Sequence, residues 1–370
     1  MPDNSTRIHS RKRYWLLCLL AGWTLGNASG AQCQELADQI LTSFPVETNR
    51  IEYIRPAELR KLPNYAEIRG QFLGARLSAM DAALSTLGIS EGDIDEAALG
   101  WTIRKPHAQS DPTETREAGN TATGGPEDGI ERMPTELYGF MTGRFDPASI
   151  AKSAWQNGAV SIRIRDVDAH CLGRKASGAC LAVLSESLAA FGEPEALDRL
   201  LETRVGMRES LAGDRRFTRL VNEINKNAPV WGMATDKTVS EWFRGWMPGQ
   251  GETQIDWTKA FDSVETFTYG IEVREKLNLT AKLTGKSNED AKRLHQLFSA
   301  VRTLLTYIWQ TRLPGQPCPL AGLEVKTDGR ACVLELAGNL NDMMAYLNSP
   351  LRPPAPAPPT AEPLGLPPVR

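Results

Sequence analysis

Two stretches of this chain run through the same order of elements, and that repetition narrows the folds open to it. In the first, Leu137-Tyr138-Gly139-Phe140-Met141-Thr142 reads as a strand and Pro147 to Trp155 as a helix opening on Asp146. Val160 to Arg165 and Cys180 to Leu184 then read as strands, and Pro194 to Leu201 as a helix. In the second, Val230-Trp231-Gly232-Met233-Ala234-Thr235 is the strand and Thr238 to Trp246 the helix after Asp236. Val264 to Val273 and Leu277 to Leu283 follow as strands, and Asp290 to Trp309 as a helix. The shared signature is aromatic-Gly in a strand, then Asp and a helix. An order of strand-helix-strand-strand-helix is close to the split βαβ arrangement of ferredoxin-like layers. The expected class is therefore α+β: two related modules whose antiparallel sheets are covered by helices.

The modules take residues 137–206 and 207–348. Residues 32–103 form an N-terminal segment expected to pack on the first module, with an amphipathic helix from Tyr65 to Leu87 stopped by Gly88 and a strand from Ala97 to Ile103. Residues 104–136 hold almost no large apolar side chain and read as a disordered loop, because they bury too little to offset the entropy of ordering. In the second module Ala291, Leu294, Leu297, Phe298, Val301, Leu304, Leu305, Ile308 and Trp309 form one apolar stripe behind a Ser287/Asp290 cap. Asp328-Gly329 then marks a tight hairpin turn that places Val325 opposite Cys332. Residues 349–370 are a Pro-rich tail.

The N-terminus predicts export. Arg7, Arg11, Lys12 and Arg13 precede an apolar run from Tyr14 to Leu25 and the small residues Ser29-Gly30-Ala31, the order of a secretory signal peptide over residues 1–31. Its loss removes four positive charges and one negative, which takes the formal charge from −3 to −6. A periplasmic or secreted location follows, with no membrane span in the mature chain. Lys and Arg are scattered rather than gathered in a stripe, so nucleic acid is not an expected partner. In an oxidising compartment, the close pairs Cys171 with Cys180 and Cys318 with Cys332 are disulfide candidates, the first across a turn at Lys175 to Gly178.

No motif for catalysis stands out: there is no Gly-x-Ser-x-Gly, Ser-x-x-Lys or His-Glu-x-x-His, and no Cys/His spacing for zinc. No metal and no cofactor are expected, and His107, His170 and His295 read as structural or solvated. The chemistry left to weigh lies around the tryptophans. Trp231, Trp242, Trp246 and Trp257 are the ligand-binding candidates, since a flat indole stacks on a sugar ring or a peptide side chain. Asp236, Glu241, Asp256 and Asp262 lie near them in sequence, which leaves a polysaccharide-acting hydrolase as the alternative reading. Asp236 is better read as a helix N-cap, and Val239, Trp242, Phe243 and Trp246 at helical spacing as a core stripe.

Leu137-Tyr138-Gly139, Phe191-Gly192, Val230-Trp231-Gly232 and the Trp242 to Pro248 run resemble a group of uncharacterised exported bacterial proteins with repeated α+β modules. The resemblance covers about Leu137 to Leu347, implies an envelope or secreted location, and supplies no reaction. The function expected is that of an exported non-catalytic binding or envelope-interaction protein, with an unknown protein or glycan of the cell envelope as its partner.

Overall fold

The computed structural model describes residues 36–69, 81–103, 135–173, 178–244, 261–274 and 276–342. In chain order the strands are β1 (Arg50–Ile54), β2 (Ile94–Ile103), β3 (Thr135–Gly143), β4 (Val160–Ile164), β5 (Val167–Cys171) and β6 (Cys180–Ser185). They continue as β7 (Leu188–Gly192), β8 (Val230–Thr235), β9 (Val264–Val273), β10 (Lys276–Gly285), β11 (Leu323–Asp328) and β12 (Ala331–Asn339). The helices are α1 (Leu36–Ser43), α2 (Pro56–Leu59), α3 (Tyr65–Ile68), α4 (Pro147–Gln156), α5 (Pro194–Arg204), α6 (Arg215–Glu223), α7 (Lys237–Arg244) and α8 (Asn288–Arg312). Residues 81–86 are also helical.

The α+β class and the antiparallel sheet with helix cover are as the sequence predicts. The strands of both modules, however, join one twelve-stranded sheet in the order β11-β12-β10-β9-β8-β1-β2-β3-β7-β6-β5-β4. The N-terminal segment supplies its centre. β1 pairs antiparallel with β8 on one side and β2 on the other, so it touches the second module as well as leading into the first. The first module also holds more strand than expected. β4, β5, β6 and β7 are a meander of four between its two helices, where the sequence reading has two strands.

Alternation along the strands divides the core between two faces. On the first face α1, α5 and α6 pack on Ile51, Tyr53, Tyr138, Phe140, Trp231 and Met233. On the second face Leu59 of α2 and Ile150 and Ala154 of α4 cover Leu99, Met141 and Phe191. Val239 and Phe243 of α7 and Leu294 and Phe298 of α8 cover Phe267, Leu283 and Leu334 on that same face. Helix starts follow local chemistry. The Asp146 carboxylate accepts the Ala148 N–H at α4, the Asp214 carboxylate that of Arg216 at α6, and the Ser287 hydroxyl oxygen that of Asp290 at α8.

The aromatic-Gly signature has a geometric explanation. Tyr138-Gly139 of β3 lies opposite Phe191-Gly192 of β7, so that Tyr138 pairs with Gly192 and Gly139 with Phe191. In the second module Trp231-Gly232 of β8 lies opposite Tyr269-Gly270 of β9 in the same reciprocal way. On the second face the ring lies across the glycine opposite: a Cβ at Gly139 would stand 2.8 Å from the Phe191 ring, and one at Gly232 2.5 Å from the Tyr269 ring. Tyr138 and Trp231 serve the first face, Phe191 and Tyr269 the second. Each cross-strand pair of dipeptides thus seats one ring on a glycine on the second face.

Candidate functional site

The structure removes Trp231 from the binding candidates. It is 0% exposed, stacks on Tyr53 with ring centroids 5.1 Å apart, and belongs to the core under α6. The reason is the register that sets Tyr53 opposite it on the central strand. Trp242 sits on α7, with its side chain outside what is described, between Val239 and Phe243, which are buried against the sheet. Trp246 and Trp257 lie outside the described residues, as do the Asp256 carboxylate and the Glu241 side chain. Asp236 enters α7 with a φ of 54°, and its carboxylate takes an ion pair at 3.1 Å from Arg216.

Cys171 and Cys180 are disulfide-bonded, as neighbours in register across β5 and β6. Cys318 and Cys332 are not. Cys332 faces the core beneath α8, where burial pushes its thiol pKa up to about 11, while the Cys318 thiol lies beside the Thr306 hydroxyl at 3.9 Å. The hairpin register differs from the predicted one because the turn holds only Gly329 and Arg330. Asp328 therefore pairs with Ala331, and Thr327 rather than Val325 faces Cys332.

His170 Nδ1 stands 3.0 Å from the Ser161 hydroxyl, and His107 lies outside the described residues. Among the described residues there is no cluster of three His, Cys, Asp or Glu side chains placed to hold a metal. Burial raises the pKa of Tyr53, and that of Tyr138 to about 12, but both hydroxyls are closed inside the first face. Tyr138 bonds Thr48 at 2.8 Å and also Thr102, and Tyr53 accepts from Arg55 at 3.1 Å. Their perturbed acidity is a product of packing, since Tyr53 is 0% and Tyr138 1% exposed.

A different place offers access. No described helix lies over the first face of β10, β12 and β11, and Asn278, Thr280, Ala337, Glu324 and Lys326 are exposed there. Where this bare surface meets α6, a groove of about 180 Å³ opens between Arg219, Leu220 and Glu223 of the helix and Asp328, Arg330 and Ala331 of the hairpin turn. Its floor is one cross-strand row, in which Thr266 of β9 pairs with Thr284 of β10, Thr284 with Ala331 of β12, and Ala331 with Asp328 of β11. The charges around it are mostly matched. Glu223 takes Lys282 at 2.9 Å and Arg219 at 3.9 Å, and Glu265 takes Arg330 at 3.2 Å. Nothing in the sequence pointed here, because the lining comes from four separate segments that only the sheet register brings together.

A second surface lies on α8, where Leu304 is 50% and Tyr307 66% exposed beside Ser299, Ala300 and Thr303. Leu304, which the sequence places in the apolar stripe, thus stands off the buried side of the helix, while Trp309 further along is enclosed. No described helix is long and apolar enough to cross a membrane.

No protein-family model matches the chain, and comparison with curated proteins gives no match. Two solved structures of TP0453 are similar to it. Crystal form I has a TM-score of 0.44 and 9% identity, covering 84% of this chain and 98% of that one. Crystal form IV has a TM-score of 0.37 and 9% identity, covering 82% and 96%. Likeness at this distance assigns no residue and no activity.

Proposed function

We propose that this chain is an exported, non-catalytic binding or envelope-interaction protein, and that it meets its partner with the first face of β10, β12 and β11. The observation that carries the reading is the first face of β10, β12 and β11, a polar surface that no described helix covers and that ends in a groove. The exported half of the reading is supported by the signal-like residues 1–31 and by the Cys171–Cys180 bond, which persists in an oxidising compartment. The partner is a protein or glycan of the envelope, and the exposed Leu304 and Tyr307 of α8 give such a partner a second, apolar foothold.

A thermal-shift screen of the mature chain against envelope glycans and peptides tests this, because anything that binds the folded state raises the midpoint by mass action. At least one class is expected to shift it. Reducing ends released from a polysaccharide at a rate above the protein-free control would replace the reading with the hydrolase alternative. N-terminal sequencing of the exported protein is expected to begin at or within a few residues of Gln32, and an intact Met1 in the envelope fraction would remove the export step.

A further inference from the structure

The groove beside α6 has a floor, walls and unmet hydrogen-bonding capacity, and we propose that it binds one ring of a neutral, polyhydroxylated ligand, a sugar residue by chemical class. This rests on the binding reading above and narrows it to a site. Thr266 lines the groove, is only 5% exposed, and its hydroxyl makes no hydrogen bond among the described residues; the Thr284 hydroxyl beside it makes none either. Both hydroxyls are therefore left to bond whatever occupies the groove. The two threonines stand on adjacent strands, about 4.8 Å apart in the hydrogen-bonding direction, a span that a single ring bridges. Asp328, at the far end of the same row, has no ion-pair partner among the described residues and adds an acceptor.

The charges argue for neutrality. Lys282 and Arg219 are matched by Glu223, and Arg330 by Glu265, so a phosphate or carboxylate has to break an existing pair and then face Glu223 and Asp328. A cation finds Asp328 flanked by Arg330. A sugar needs neither exchange: its hydroxyls donate to Asp328, exchange hydrogen bonds with Thr266 and Thr284, and accept from guanidinium N–H groups that a single carboxylate leaves unused. The volume of about 180 Å³ suits one ring, and the bare sheet beyond it leaves room for a chain to continue.

The test is calorimetric titration of the full mature chain with glucose, galactose and N-acetylglucosamine, with inorganic phosphate and glutamate run alongside. At least one sugar is expected to saturate. Thr266→Val and Asp328→Asn are each expected to weaken it by about tenfold, the size of one lost charged or buried hydrogen bond. Asn278→Ala, out on the open sheet, is expected to leave it unchanged. The inference is overturned if no sugar saturates, if phosphate or glutamate binds instead, or if both groove variants bind the sugar as tightly as the parent. In the last case the chain still binds glycans and only the placement falls. In the first two, the thermal-shift screen decides the binding reading separately.

Discussion

Replacing Trp231 with alanine separates its packing role from the ligand-stacking role that its sequence context suggests. The side chain is fully enclosed and lies against Tyr53. A buried aromatic removes on the order of 150 to 250 Å² from water, and at about 25 cal/mol per Å² that is about 4 to 6 kcal/mol of transfer free energy. Measured truncations of this kind cost about 3 to 5 kcal/mol after partial relaxation, and the lost ring pair with Tyr53 adds about 0.5 to 1.5 kcal/mol. A loss of about 4 kcal/mol corresponds to a melting-point drop on the order of 10 °C in a chain of this size. Trp231→Phe sharpens the test. The indole Nε1 has no hydrogen-bond partner among the described residues, so phenylalanine gives up no hydrogen bond and keeps an aromatic ring against Tyr53. It should cost less than half as much as alanine. Denaturant and thermal melts of the two variants measure both values, and a Trp231→Ala protein with the parent's midpoint would refute the packing argument.

Gly139→Ala places a Cβ 2.1 Å from the Ala98 carbonyl oxygen, a backbone atom that cannot swing aside, and should cost about 1 to 3 kcal/mol or more by denaturant melt. Loss of the Cys171–Cys180 bond in a double serine variant should cost about 2 to 3 kcal/mol in the chain-entropy model for so short a loop. Peptide mapping without reductant should recover that pair linked, while Cys318 alkylates readily and the enclosed Cys332 does so only on unfolding. Ser287→Ala removes the cap of α8 and should cost about 1 kcal/mol. The Ser287 hydroxyl also holds the Asp290 carboxyl below its usual range. That contribution is therefore complete above the unfolded carboxyl pKa and fades as pH falls through the lower folded value. An acid titration followed by NMR should show the Asp290 pKa rising in the variant.

Local chemistry carried the elements that the sequence revealed best. The stripe from Ala291 to Trp309 became α8, Asp146 and Ser287 cap the helices predicted to follow them, and Cys171 and Cys180 are bonded. What stayed hidden depends on register. Leu188–Gly192 is a short apolar run just before a helix, and periodicity alone cannot tell such a run from a helix lead-in, so β7 was invisible. Trp231 looked available because nothing local says that Tyr53, on a strand far earlier in the chain, lies opposite it. The groove was invisible for the same reason: Thr266, Thr284, Ala331 and Asp328 form a row only once β9, β10, β12 and β11 are aligned, and threonine carries no motif.

The position of β1 also bears on how the molecule is made. The strand needs β2 on one flank and β8 on the other, and the side chain of Thr235 donates to the Asn49 carbonyl from 186 positions away. Closing so long a segment taxes the rate of folding far more than it taxes stability, so acquisition of the native state should be slow and late, gated by the arrival of β8. Until then β1 presents a row of unsatisfied amides and carbonyls, a template for the wrong neighbour. A fragment ended before Val230 inherits that defect permanently and should self-associate, whereas the whole chain conceals it at the centre of its sheet.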